Sequence, residues 1–143
     1  MTVLFDTSVL VPAFVDQLAN HPTCFSTFVT YTSEEHTAVC ASHALAEVYS
    51  VLTALPLSRR VSPLEARQII EESIRGRLTV IDLDAEDYRW AVTAVSDVGL
   101  TSGVVYDGLH VVAAGKAGCG RIYTYNARHF RRIAPPEIEI SAP

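Results

Sequence analysis

Val3-Leu4-Phe5-Asp6-Thr7-Ser8 is the stretch that decides how the chain is read. Three apolar residues run straight into an acid, and two hydroxyl residues follow it. A short, continuously apolar run of this kind is a strand buried on both faces, as in a parallel sheet. It leaves Asp6 at the strand's carboxyl end, the edge where open α/β sheets bind ligands. A carboxylate placed there must be solvated, paired or bound to a cation, because an unpaired charge at the end of a buried strand is costly. Taken alone, Asp6 reads equally well as the cap of a following helix, with Thr7 and Ser8 in its first turn. The other acids and amides that reach the same edge decide between the two.

Outward from that strand, helical and extended patterns alternate. Val9 to Leu18 reads as a short helix started or broken by Pro12, and Pro22 opens a second helix running to about Glu35. Thr37 to Ala41 is β-branched and apolar, hence a strand. Ser42 reads as the cap of a helix over His43 to Leu55, with Pro56 as the stop. Ser62 and Glu65 form a capping box, and their helix runs to about Arg75 and ends at Gly76. Leu78 to Leu83 is a strand, and Asp84 caps a helix through Val98 that Gly99 ends. Val104 to Tyr106 reads as a short extended piece before a helix from Gly108 to Lys116. Arg121 to Tyr125 is a strand, Ala127 to Arg132 one or two helical turns, and Ile138 to Ile140 an edge strand in a tail, from about residue 134, that is otherwise frayed. Strands alternating with helices predict one α/β domain over residues 1–143. Its sheet is central and mostly parallel, of about four or five strands, with helices on both faces.

Composition bounds the function. The chain has 143 residues, and 49% are hydrophobic, which suits a well-cored globular domain. No apolar run approaches the roughly 18 residues of a membrane span. The start is neither basic nor followed by a small-residue cleavage site, so no secretory leader is expected. Cys24, Cys40 and Cys119 are odd in number and far apart, which favours a reducing, cytoplasmic setting over a disulfide frame or a cysteine zinc site. Eleven basic against sixteen acidic residues give a net charge of −5. That excludes bulk coating of nucleic acid but not a nuclease whose metal-binding acids themselves lower the count. Only Lys116 is lysine among the basic residues; the rest are arginine.

Acids interrupt apolar patterns at three further points. In the helix from His43, Glu47 shares a stripe with Ala44, Val51 and Ala54, beside a second stripe of Leu45, Val48, Leu52 and Leu55. Glu47 therefore belongs to the packed side or its margin. His43, one turn back, reads as a capping or packing residue. Asp107 begins a helix that is apolar nearly all round and therefore buried; it is a cap, a ligand, or both. His110 follows three residues on and reads as a buried, hydrogen-bonded histidine in preference to half of a D-x-x-H metal pair. Thr124 and Asn126 project to one side at the end of the last long strand, and Asn126 also precedes a helix that it would cap. Arg128, His129, Arg131 and Arg132 form the only dense basic cluster. They read either as a solvated helix face or as a surface for phosphates. Hard oxygen donors gathered at one edge suit Mg²⁺ or Mn²⁺.

Taken in order, these motifs resemble the PIN domain and, more closely, the VapC toxins of bacterial toxin–antitoxin pairs. The residues that carry the likeness are Asp6-Thr7-Ser8 after an apolar strand, Ala46-Glu47-Val48 in a helix, Tyr106-Asp107-Gly108-Leu109-His110 before an Ala-rich helix, and Thr124-Tyr125-Asn126-Ala127-Arg128-His129-Phe130. The resemblance implies a metal-dependent endoribonuclease that hydrolyses RNA phosphodiesters with a metal-activated water. Asp6, Glu47 and Asp107 match the metal-binding catalytic acids, and Asn126 falls at the fourth position. Thr7, Ser8 and Thr124 would orient carboxylates or waters, and Arg128, Arg131 and Arg132 are candidates for RNA phosphates. One or two Mg²⁺ ions, with Mn²⁺ as substitute, would serve each site. The family's toxins imply a cognate antitoxin, a homodimer, and single-stranded or loop RNA as substrate.

Three competing readings remain. An aspartyl-nucleophile phosphatase needs a second acid two residues after the first, where Ser8 stands. A DNA nuclease is separable only by substrate comparison. A catalytically inactive PIN-like module, acting as an RNA or protein scaffold, is the reading that Asn126 favours.

Overall fold

A computed structural model describes residues Met1–Pro143. Five strands, β1 (Thr2–Phe5), β2 (Thr37–Ala41), β3 (Thr79–Ile81), β4 (Arg121–Tyr123) and β5 (Glu139–Ser141), form one sheet in the order β3-β2-β1-β4-β5. Every pairing is parallel. The chain builds outward from β1 through β2 to β3, then returns to the other side of β1 for β4 and β5. The order therefore reverses between β1 and β4, and that switch point opens a crevice at the carboxyl ends of the strands.

Both faces of the sheet are covered. Val3, Phe5, Ala38 and Cys40 pack on one face against helices α1 (Thr7–Ala13), α2 (His21–Tyr31), α3 (Ser42–Ala54) and α4 (Pro63–Gln68). Leu4, Val39, Ala41 and Ile122 pack on the other, against α6 (Val104–Lys116) and α7 (Ala127–Ile133). The alternation of strand side chains between faces explains why β1 contributes to both cores. Helix α5 (Ala85–Asp97) lies on α6, where Gly108 admits close contact. A Cβ on Gly108 would sit 3.2 Å from Val95 Cγ2 and 3.3 Å from Ala91 O.

Local chemistry sets the helix ends. The Ser62–Glu65 and Asp84–Asp87 capping boxes are both formed. Helix α4 runs without a break into a π-helical segment, Ile69–Ile74, where the Arg75 N–H reaches Ile70 O at 2.9 Å. A Cβ on Gly76 would collide with Glu72 O, so glycine permits the exit from this segment.

Four expectations need correction. The first helix starts at Thr7, not Val9, because Asp6 caps it, and Pro12, which has no N–H to donate, ends it at Ala13 rather than Leu18. Helix α2 stops at Tyr31, short of Glu35; the hydroxyls of Thr32 and Ser33 donate to the carbonyls of Phe28 and Thr30 and compete with further turns. Ser42 is not a cap: it is the first residue of α3, and its hydroxyl accepts from the Leu83 N–H at 3.2 Å, tying the end of β3 to α3. Val104 to Tyr106 is not extended but forms the first turn of α6. Packing of α6 as a whole between α5 and the sheet outweighs the strand preference of two half-buried valines and an exposed tyrosine. Asp107 is consequently the fourth residue of its helix and lies in the first turn instead of capping it.

The tail is an ordered edge strand. β5 pairs in register with β4, and the Thr124 N–H donates to Ser141 O at 2.9 Å. No helix is long and apolar enough to cross a membrane.

Candidate active site

Asp6 leaves β1 beside Thr124, which leaves β4, because Phe5 and Tyr123 are register partners across the switch point. Only 2% of Asp6 is exposed. Its Oδ1 accepts from Ser8 Oγ at 2.6 Å and from the Val9 N–H at 3.3 Å, and its Oδ2 accepts from Thr124 Oγ1 at 2.5 Å. Thr124 in turn accepts from the Asn126 N–H at 2.9 Å, and Ser8 accepts from the Tyr125 N–H at 2.9 Å. Cap and site are thus one group: Asp6 caps α1 and stands at the crevice. Burial pushes its carboxyl above the usual range, against the pull of the His110 charge and of the Ser8, Thr124 and Val9 hydrogen bonds.

Glu47 reaches the crevice from α3. Its Oε1 accepts from Thr7 Oγ1 at 3.0 Å and meets the Nε2 atoms of His110 at 3.1 Å and His43 at 3.0 Å. Burial alone would raise this carboxyl. The hydrogen bonds and charges of His110 and His43 outweigh it and hold Glu47 well below the usual range.

Asp107 enters from the first turn of α6. Its nearest basic group is His129, Nδ1 to Oδ2 at 3.5 Å. Burial, reinforced by the charges of Asp6 and Glu47 and opposed by His110 and His129, pushes its carboxyl up to about 6. Glu47, Asp107, Asn126, His129 and Tyr106 line one open cavity of about 430 Å³, closed on another side by Thr101 to Val104. Ser102 in that wall has a φ of 57°.

The donor set fits a hard divalent cation. Glu47 and Asp107 line the cavity, Asp6 is near enough for its charge to act on Asp107, and no lysine or arginine pairs with any of the three. Burial is the main cause of the raised Asp107 carboxyl, and the charges of Asp6 and Glu47 add to it; a cation beside these acids would offset both.

The other predicted residues divide. Asn126 takes the cap position of α7 but makes no side-chain capping bond, which leaves its amide free at the cavity. Thr7, Ser8 and Thr124 all hydrogen-bond the acids. Arg131 and Arg132 donate to main-chain carbonyls, those of Ile140 at 3.4 Å and Val98 at 2.9 Å, while Arg128 is exposed. Sequence reasoning favoured packing or hydrogen-bonding roles for His43 and His110 over ligand roles and put His129 in the basic cluster; it did not foresee that His43 and His110 meet Glu47 or that His129 approaches Asp107. The i,i+4 spacing of His43 and Glu47 on one helix was the available signal.

The PIN-domain family profile matches residues 3–135. The chain belongs to the PIN-domain family. This PIN domain is 33% identical over 109 residues to ribonuclease VapC27 of Mycobacterium tuberculosis, a match that covers 76% of this chain and 74% of that protein. It is 29% identical over 135 residues to ribonuclease VapC40 of the same species, covering 94% of each. Among solved structures it resembles VapC20 of M. tuberculosis, described as a sarcin–ricin loop cleaving toxin, with a TM-score of 0.73, 15% identity and coverage of 90% of this chain and 93% of that one. It also resembles a chain of the Rickettsia felis VapBC2 complex bound to promoter DNA, with a TM-score of 0.71, 19% identity and coverage of 100% and 99%. At such identities the structures speak for the fold, which is the single α/β domain with a parallel sheet expected from the sequence.

Proposed function

We propose that this PIN domain is a metal-dependent endoribonuclease and the toxin of a toxin–antitoxin pair. The observation that carries the reading is the switch point of a PIN-family sheet, where Glu47 and Asp107 line one cavity, Asp6 stands at the end of β1, and no lysine or arginine pairs with any of the three. The likeness to two named ribonucleases supports RNA as the substrate class. Mg²⁺ or Mn²⁺ held by these acids supplies a nucleophilic water at neutral pH and offsets charge growing on the phosphate. The chain's own residues do the positioning. Ser8 and Thr124 fix both oxygens of Asp6. Thr7, His43 and His110 crowd one oxygen of Glu47 and leave its other oxygen free. The Asn126 amide orients water or phosphate at the cavity, and Arg128 meets the RNA backbone from the neighbouring helix. A cognate antitoxin, a homodimeric state and a cytoplasmic setting belong to the same reading.

The test is incubation of purified, antitoxin-free protein and its Asp6→Ala variant with total RNA, in Mg²⁺, Mn²⁺ or EDTA. Discrete fragments from the wild type alone, lost in EDTA, are expected. A folded wild type that neither cleaves nor binds Mn²⁺ would leave an inactive binding module as the function.

The titration of Asp107 gives a second expected result. Its folded carboxyl lies near 6, raised from 3.8, so the metal-free folded protein takes up a proton that the unfolded chain has released. From this group, metal-free stability falls as pH rises through that window and stays lower above it. A cation requires the carboxylate and stabilises increasingly over the same window. Mn²⁺ should therefore raise the melting temperature more at about pH 7.5 than at about pH 5. Equal shifts at the two pH values in a thermal melt would remove Asp107 from the cation's ligands.

A further inference from the structure

His43 and His110 are placed as a donor set. His43 and Glu47 are one turn apart on α3, and His110 approaches from α6. The ligand atoms of the three residues all lie within 4.8 Å of one another. The imidazole centroids are 4.3 Å apart, with the rings tilted by 51°. The side chain of His43 is only 7% exposed, and its Nδ1 has no hydrogen-bond partner. Its Nε2 stands 3.0 Å from Glu47 Oε1. Nδ1 of His110, whose side chain is 3% exposed, is also without a partner. Buried polar atoms left bare in this way call for a water or an ion. Glu47, with 29% of its side chain exposed, leaves the cluster open to the cavity.

We propose that His43, His110 and Glu47 form a second cation site, for a borderline divalent transition ion of the Zn²⁺ or Co²⁺ class. Two imidazoles and one carboxylate select such ions over Mg²⁺, which prefers oxygen throughout. The site shares Glu47 with the three acids, so an ion drawn onto the histidines takes that carboxylate from the acid site and lowers its hold on Mg²⁺. The proposal goes beyond the ribonuclease reading, because these three side chains bind the ion whether or not the chain cuts RNA.

The test is titration of the purified chain with Co²⁺, read by visible absorption, and displacement by Zn²⁺. Mn²⁺ affinity is measured in parallel by electron paramagnetic resonance. The variants are His43→Gln, which keeps a donor near the carboxylate, and Asp107→Asn. The wild type should show the bands of a nitrogen-ligated Co²⁺ ion, displaced by one equivalent of Zn²⁺. His43→Gln should weaken Co²⁺ and Zn²⁺ by about tenfold or more and weaken Mn²⁺, through the lost support of Glu47, by a clearly smaller factor. Asp107→Asn should do the reverse. Absent Co²⁺ bands, superimposable titrations of wild type and His43→Gln, or loss of the bands in Asp107→Asn would each overturn the proposal. Should His43→Gln not fold, nitrogen-15 spectra of the wild type decide: Zn²⁺ must move the Nε2 resonances of both His43 and His110, and unmoved resonances would sink the idea. Co²⁺ bands in a protein that cleaves no RNA would refute the nuclease and leave this site standing.

Discussion

Asp107→Asn should abolish RNA cleavage, lowering turnover by roughly a thousandfold or more, because in the proposed mechanism it removes one of three carboxylates that would hold the cation and supply its counter-charge. The substitution is nearly isosteric, so α6 keeps its first turn and Gly108 its contact with Ala91 and Val95. The fold should not merely survive. Asp107 sits half-buried among Asp6 and Glu47 with a carboxyl pushed up to about 6. Replacing it by an amide relieves that repulsion, so the metal-free variant should melt above the metal-free wild type at neutral pH. Added Mn²⁺ should then stabilise the variant less than the wild type. The paired signature, more stable without metal and inert with it, separates loss of a ligand from loss of structure. Wild-type turnover by this variant, in a preparation free of other nucleases, would exclude Asp107 from the mechanism.

Thr124→Val should destabilise the protein by about 2–4 kcal/mol, far more than its change in shape explains. The hydroxyl is fully buried and serves twice, donating to Asp6 Oδ2 and accepting from the Asn126 N–H. Valine leaves a charged oxygen and an amide without partners in a place water does not reach. Thr124→Ser keeps both hydrogen bonds, loses one methyl group, and should cost about 1 kcal/mol. Urea unfolding of the two variants measures the difference. Cleavage by Thr124→Val should also fall, though less than for Asp107→Asn, because Asp6 remains but loses the hydroxyl that aims it. Equal unfolding of Thr124→Val and Thr124→Ser would mean that the hydroxyl contributes nothing.

The parts of this molecule legible in its sequence are those where local chemistry and tertiary packing agree. The Ser62–Glu65 capping box and the Asp84 cap formed where the sequence places them, and the apolar run of β1 forecast burial on both faces. Glu47 was legible because a charge on an apolar stripe needs a partner. Where packing overrode local preference, the reading failed. Val104 and Val105 look like strand residues, and only the space between the sheet and α5 makes them helical. Ser42 has the chemistry of a cap, but its acceptor capacity went to a backbone N–H forty-one residues away, a partner no local pattern reveals. His110 is buried and hydrogen-bonded as expected, but its partner could not be named from the sequence, for the same reason. His43 and His110 are far apart in the chain, and their convergence on one oxygen of Glu47 is a property of how α3 and α6 cross the end of the sheet.

The strand order carries a consequence for how the protein comes into being. Asp107 is synthesised about a hundred residues after Asp6, and the Thr124 hydroxyl that braces Asp6 later still. Parallel strands joined across such separations make a fold of high contact order, slow to assemble because long loops must close before any contact rewards them. A chain emerging from the ribosome can build β1, β2 and β3 with their helices and still hold no complete set of acids. Cutting power therefore arrives in one step, with the docking of α6 and β4 against β1, and a partner that recognises the finished crevice has nothing to bind before that moment.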